Sequence, residues 1–176
     1  MPRNGIFERE EIMWLRCLAG LGLACALVTP AGAQLLTEKS LPLAMAVTIA
    51  QTAVETCKAQ GYRVSVTVVG RDGEVRVALR GDGTGPHTFE NSRRKAYTSR
   101  TFRVSSAEFQ KRLSDPARAA NTQAQSTLPG VIALPGALPI MAGEEVIGAV
   151  GVSGAPAGGD EPCAKAGIDK VADQLK

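Results

Sequence analysis

Gly143-Glu-Glu-Val-Ile-Gly-Ala-Val-Gly-Val-Ser-Gly154 reads as a turn followed by one strand. Gly143-Glu144 has turn composition. Val146, Ala149 and the run from Val150 to Val152 are apolar on both faces, the pattern of a strand buried in mid-sheet. Glycines stand where side chains would be at Gly148, Gly151 and Gly154. Glycine weakens a strand, so three in one strand predict a close approach. Two partners fit equally: the backbone of a helix packed on the sheet, or a ligand lying on a glycine floor.

Working outward, the other strands follow from period-two alternation. In 64–69, Val64, Val66 and Val68 alternate with Ser65 and Thr67. Arg71-Asp-Gly73 is a hairpin turn, and 74–80 returns with Val75, Val77 and Leu79 inward and Glu74, Arg76, Ala78 and Arg80 outward. Short strands are expected at 131–134 and 137–141, around Pro135-Gly136, and 145–152 completes the sheet. Helices are expected at 40–60, 88–102, 105–113 and 160–175, with 117–127 helical in composition but lacking an apolar stripe. Ser40, Thr88, Ser105 and Asp160 are the expected caps, with Ser105-Ser-Ala-Glu108 forming a capping box. Leu43, Val47, Ala50, Val54 and Cys57 make a buried stripe on the first helix, and Ala164, Ile168, Val171 and Leu175 one on the last. Hairpins dominate this order. The fold class is therefore α/β in the α+β sense, an antiparallel sheet with helices on its faces.

The first 33 residues read separately. Arg16, an apolar run from Leu18 to Val28, and Ala31-Gly-Ala33 have the layout of a secretory signal, which would leave 34–176 as one domain beginning at Gln34. Glu8, Glu10 and Glu11 are foreign to a positive leader, which makes Met13 the better start. A retained anchor is disfavoured because the apolar run is too short to span a bilayer, and a lipoprotein at Cys25 lacks leucine three residues before it. Three basic and three acidic residues leave with the leader, so the remaining chain keeps the net charge of +3. That balance is too mild to imply nucleic acid or an anionic membrane surface, and no stable membrane insertion is expected. Cys57 and Cys163 remain. An even pair in an exported protein predicts a disulfide, closing a loop of about 100 residues and contributing up to roughly 4.7 kcal/mol. Two buried thiols are the alternative.

Val146-Ile-Gly-Ala-Val-Gly-Val-Ser-Gly154, preceded by Leu138-Pro-Ile140 and a glycine turn, resembles the signature of the GlcG/HbpS-like family, which includes the C-terminal domain of PduO-type proteins. The resemblance covers 38–176. It implies a profilin- or PAS-like sandwich with a five-stranded antiparallel sheet, a homo-oligomer, and haem or a related tetrapyrrole as the small-molecule ligand.

Chemistry is sought in Gly85-Pro-His-Thr-Phe-Glu-Asn-Ser-Arg-Arg-Lys-Ala-Tyr-Thr-Ser-Arg100. This stretch resembles the family's helix motif, with Glu90 where aspartate is usual and Lys95-Ala-Tyr-Thr98 matching. Residues 93–112 hold seven basic side chains and one acid. Arginine forks grip carboxylates, so Arg93 or Arg94 would hold a haem propionate while Phe89, Tyr97 or Phe102 packs the ring, with Glu90 and Lys95 as further ligand-binding candidates on the same helix. His87, the one histidine, is the expected axial ligand, and Tyr97 the second choice. Gly148 and Gly151 would floor the site. The competing account makes His87 an exposed loop residue and the arginines a solvated helix face or subunit contact.

An enzyme reading finds little support. One histidine assembles no nucleophile–base set, Glu144-Glu145 is a solvated turn, Gly81-Asp-Gly-Thr-Gly85 lacks the lysine of a phosphate loop, and no zinc spacing occurs. The expectation is an exported, periplasmic or secreted, binding protein. The alternatives are a non-catalytic accessory or assembly subunit with a periplasmic oxidoreductase as its protein partner, and an enzyme that degrades haem or handles small acids.

Overall fold

The two clearest alternating segments form the first hairpin. β1 (Ser65–Val69) and β2 (Val75–Arg80) pair antiparallel across a turn in which Gly73 takes φ 81°, the left-handed conformation that the turn requires. The computed structural model describes residues 35–176, and Glu38–Lys176 form one compact unit. The leader expected at 1–33 lies outside the described residues. β3 (Ala137–Ala142) pairs with β4 (Glu145–Ser153), and β4 pairs with β1, all antiparallel, in the spatial order β2-β1-β4-β3.

The sheet therefore has four strands among the described residues, one fewer than expected. The missing strand is 131–134. Its backbone finds partners on a helix instead: Ile132 N–H donates to Thr98 Oγ1 at 2.9 Å, Thr98 Oγ1 lies 3.2 Å from Ile132 O, and Arg94 donates to Val131 O at 2.6 Å. Side chains of that helix thus take up the Val131 and Ile132 groups that a strand would have paired.

Five α-helices are described: α1 (Leu43–Ala59), α2 (His87–Phe102), α3 (Ser106–Lys111), α4 (Ala119–Gln125) and α5 (Asp160–Asp169). On one sheet face, Val64, Val66, Val68, Ile140, Val150 and Val152 pack with Ala46, Ile49, Ala50 and Ala53 of α1 and Cys163 and Ala164 of α5 in one fully buried core. Each buried valine or isoleucine contributes about 1.5–3 kcal/mol. The α1 stripe is rotated from the expected one, leaving Leu43 57% exposed. Alanines at 46, 50 and 53 face inward, where small side chains let the helix sit close to its neighbours.

The opposite face carries α2. Ser65 and Thr67, which alternation alone would leave wet, are fully buried beneath it. The helix supplies matching hydroxyls: Ser65 Oγ lies 2.9 Å from Thr88 Oγ1, and Thr67 Oγ1 lies 2.8 Å from Ser92 Oγ. Val69, Ala149 and Ala96 complete this smaller layer. Thr88 thus bonds the strand and Gly85 O instead of capping its helix. Pro42, not Ser40, occupies the N-cap of α1, without a side-chain cap. The capping box at Ser105 forms as expected, its Oγ accepting from Glu108 N–H.

Cys57 near the end of α1 and Cys163 in α5 are joined by a disulfide with Cα atoms 5.6 Å apart, and neither is exposed. The terminal helices lie side by side, which meets the geometric requirement for the bridge.

Candidate functional site

The structure scatters the basic residues of α2 according to the face on which each falls. His87 begins the helix, exposed, with its imidazole over Gly85, where an added Cβ would stand 2.9 Å from Cε1. Glu90 and Arg93 form a two-toothed ion pair with each other at 2.7 and 3.0 Å. The bonded guanidinium holds the Glu90 carboxyl below its ordinary range and raises Arg93. Arg94 is spent on Val131 O. Lys95 points through the helix–sheet interface, where its Nζ lies 2.8 Å from Asp160 Oδ2 and 3.1 Å from Val152 O. Its side chain is only 6% exposed and that of Asp160 13%. Tyr97 lies against Gly73 and Gly130. The six expected α2 ligands therefore do not converge on one hollow.

The strand glycines have a structural use. A Cβ on Gly151 would stand 2.2 Å from Ser92 O and 2.7 Å from Ala96 N, so the backbone of α2 lies directly on the strand. A Cβ on Gly148 would meet Val69 O at 2.5 Å and Leu41 at 3.4 Å. Of the two partners left open by the sequence, helix backbone is the one found at Gly151, while Gly148 is covered by the neighbouring strand β1 and by Leu41.

A cleft of about 480 Å³ lies elsewhere, between the last turn of α1 and the outer end of β2. Val54, Tyr62, Val64 and Leu79 provide its apolar wall. Lys58, Arg63 and Arg80 line it with three cations, against two carboxylates from Glu55 and Asp82. Lys58 and Arg63 have no carboxylate partner among the described residues, and Arg80 donates to Thr84 Oγ1 at 3.2 Å. Its volume is in the range of small-molecule sites. His87 does not line it. Sequence reading missed this cleft because its cations are one helix-end residue, one loop residue and one strand-end residue, with no shared motif. Among the described residues, no group of three or more His, Cys, Asp or Glu side chains is placed to hold a metal ion, and no helix is long and apolar enough to cross a membrane.

Residues 41–169 match the family model described as "Haem degrading protein HbpS-like". The chain belongs to the HbpS-like family. Among solved structures, the HbpS-like chain is similar to a double mutant of HbpS from Streptomyces reticuli, with 36% identity and a TM-score of 0.73, covering 84% of this chain and 98% of that one. Protein ORFY of Klebsiella pneumoniae shares the fold at 24% identity and TM-score 0.72, covering 80% and 96%. A PduOC:heme complex shares it at 21% identity and TM-score 0.68, covering 74% and 94%. A search of curated protein sequences returned no match. In this HbpS-like chain, Lys95-Ala-Tyr-Thr98 thus serves architecture at three positions: Lys95 ties α2 to α5, Ala96 meets the strand, and Thr98 holds the 131–132 backbone.

Proposed function

We propose that this protein is an exported binder of haem or a related tetrapyrrole, taken into the cleft between α1 and β2. The observation that carries the reading is the lining of that cleft, an apolar wall with three cations against two carboxylates. That donor set fits the group: Val54, Leu79 and Tyr62 suit a flat apolar ring, and Lys58, Arg63 and Arg80 suit two carboxylates. Tyr62 offers a phenol oxygen, a recognised haem ligand type. His87 lies outside this cleft and is the iron ligand only of the alternative site at the start of α2. The family description and the haem held by the PduOC relative support the ligand class. The buried Cys57–Cys163 bridge supports an oxidising compartment, periplasmic or extracellular, consistent with the leader expected at 1–33. A homo-oligomer belongs to the same reading.

Titrating the purified protein with hemin tests this. A saturable Soret shift is expected, weakened about tenfold or more by combined Lys58→Gln and Arg63→Gln, with the band position changed by Tyr62→Phe. If His87→Ala and Arg93→Gln weaken binding and the cleft variants do not, the site lies at the start of α2 instead. Absence of any saturable shift overturns the ligand class. A Soret band that decays on adding a reductant under air, with loss of the macrocycle, assigns degradation as well as binding.

A further inference from the structure

A second hollow, of about 180 Å³, lies between the β1–β2 hairpin turn and the last turns of α2. Arg71, Asp72 and Gly73 form one side, and Tyr97, Arg100 and Thr101 the other. Its two arginines differ in what they already hold. Arg71 is engaged: Nη1 lies 2.9 Å from Glu145 Oε2 and donates to Lys39 O, and Nε lies 3.3 Å from Glu38 Oε2. The Arg100 side chain makes no hydrogen bond or ion pair among the described residues, and its Nε is buried without an acceptor.

The charges around Arg100 make this arrangement unfavourable as it stands. Burial is the first effect disfavouring its protonated form, and the neighbouring positive charges of Arg103 and Arg71 come next. Asp72 and Glu74 act in the opposite direction and rank below both arginines. A guanidinium stays charged in such surroundings, so what it lacks is an acceptor. Arg103 adds to the case. It closes α2 at φ 56°, a left-handed position where glycine is usual, and the chain places a third guanidinium there. Asp72 lines the hollow, yet no arginine nitrogen lies within ion-pair distance of it, although Arg71 and Arg118 do reach other carboxylates. The ring of Tyr97 also lines the hollow, packed so close to Gly73 that a Cβ there would touch it at 2.8 Å.

We propose that this hollow binds a small oxyanion, gripped by the Arg100 guanidinium between the hairpin turn and α2, with Arg71 and Arg103 supplying the surrounding positive field. The oxyanion is of the phosphate or carboxylate class, both of which match the planar fork of arginine. The site is independent of the tetrapyrrole reading, because it shares no residue with the α1–β2 cleft.

The experiment is a titration of the purified, isotope-labelled protein in a chloride buffer of constant ionic strength, once with sodium phosphate and once with sodium acetate, following the backbone amides. Saturable shifts confined to Gly73, Arg100 and Thr101 and their neighbours are expected with one of the two anions, and that anion identifies the class. Arg100→Gln should weaken the response at least tenfold, and Asp72→Asn should tighten it several-fold by removing the opposing carboxylate. Should Arg100→Gln fail to fold, the Asp72→Asn result decides. No saturable response to either anion, an equal response in Arg100→Gln, or no tightening in Asp72→Asn overturns the proposal.

Discussion

Lys95 Nζ and Asp160 Oδ2 lie 2.8 Å apart, joining the middle of α2 to the start of α5 past the end of the sheet. Asp160 also accepts from Ala155 N–H at 3.0 Å, and Lys95 also donates to Val152 O, so one ion pair ties two helices to the exit of β4. Breaking one side of a buried pair leaves an uncompensated charge, which costs about 3–5 kcal/mol. Lys95→Met is therefore expected to lower stability by about that amount in urea unfolding. Lys95→Met with Asp160→Asn, which keeps an acceptor for Ala155, should recover part of it. A loss under about 1 kcal/mol in the single variant counts against the pair as a structural tie.

Gly151 and Gly143 should respond differently to alanine. At Gly151 the new methyl would meet the backbone of α2, which cannot rotate away, so Gly151→Ala is expected to cost about 1–3 kcal/mol or more through overpacking. At Gly143 nothing lies within 4 Å, and only the left-handed φ of 63° is strained, so the loss should stay near about 1 kcal/mol. Chemical denaturation of the two variants side by side checks the order. Equal losses would mean that the helix can shift on the strand.

Thr98 is fully buried; its Oγ1 accepts from Ile132 N–H, and its single proton is shared between Arg94 O at 2.8 Å and Ile132 O at 3.2 Å. Thr98→Val keeps the shape and leaves the Ile132 groups unpartnered, a cost of about 1–3 kcal/mol. Hydrogen exchange at Ile132 should quicken more than exchange in β1. Unchanged protection at Ile132 contradicts this account of why 131–134 is not a strand.

The Cys57–Cys163 bridge spans 106 residues of sequence, so the chain-entropy model assigns it roughly 4.7 kcal/mol. Cys57→Ser with Cys163→Ser should lower the thermal midpoint by many degrees. Because both sulfurs are buried, reductant added to the native protein should act slowly, at the rate of opening. Rapid reduction under native conditions would place the bridge in a mobile region.

Two carboxyls link stability to pH. Glu90 and Glu145 both lie below their ordinary range, chiefly because Arg93 and Arg71 donate to them. A folded-state value below the unfolded one means that the ionised pair stabilises the fold. That contribution is present above the ordinary carboxylate range near 4.5 and is lost as pH falls through the lowered folded-state values. Both side chains are about half exposed, so the effect is small and weakened by salt. The thermal midpoint should fall between pH 5 and pH 3 by less in Glu90→Gln with Glu145→Gln than in the parent, with the two curves parallel above pH 5. A difference that grows above pH 6 refutes this assignment.

How much of this was legible in the chain depends on the range of the interaction. The strands at 64–69 and 74–80, the Arg71-Asp-Gly73 turn, the capping box at Ser105 and the apolar β4 are local patterns, and each formed where expected, although Val75, expected inward, is 48% exposed at the start of an edge strand. The pairing of Cys57 with Cys163 followed from compartment and helix order. Polar residues misled: Ser65 and Thr67 looked solvent-facing, and Lys95 looked like a ligand cation, because nothing within a few residues of them reveals the Thr88, Ser92 and Asp160 side chains that satisfy them.

Sequence by itself determined the elements, the antiparallel hairpins, the glycines that demand close approach and the cysteine pair, since backbone sterics and hydrophobic period act over short stretches. Only the tertiary structure decided that helix backbone, and not a ligand, meets Gly151, that Thr98 takes the hydrogen bonds of a fifth strand, and that Arg100 faces a hollow without an acceptor. Those outcomes depend on which side chains from distant segments meet in space, and burial makes each such meeting either satisfied or costly.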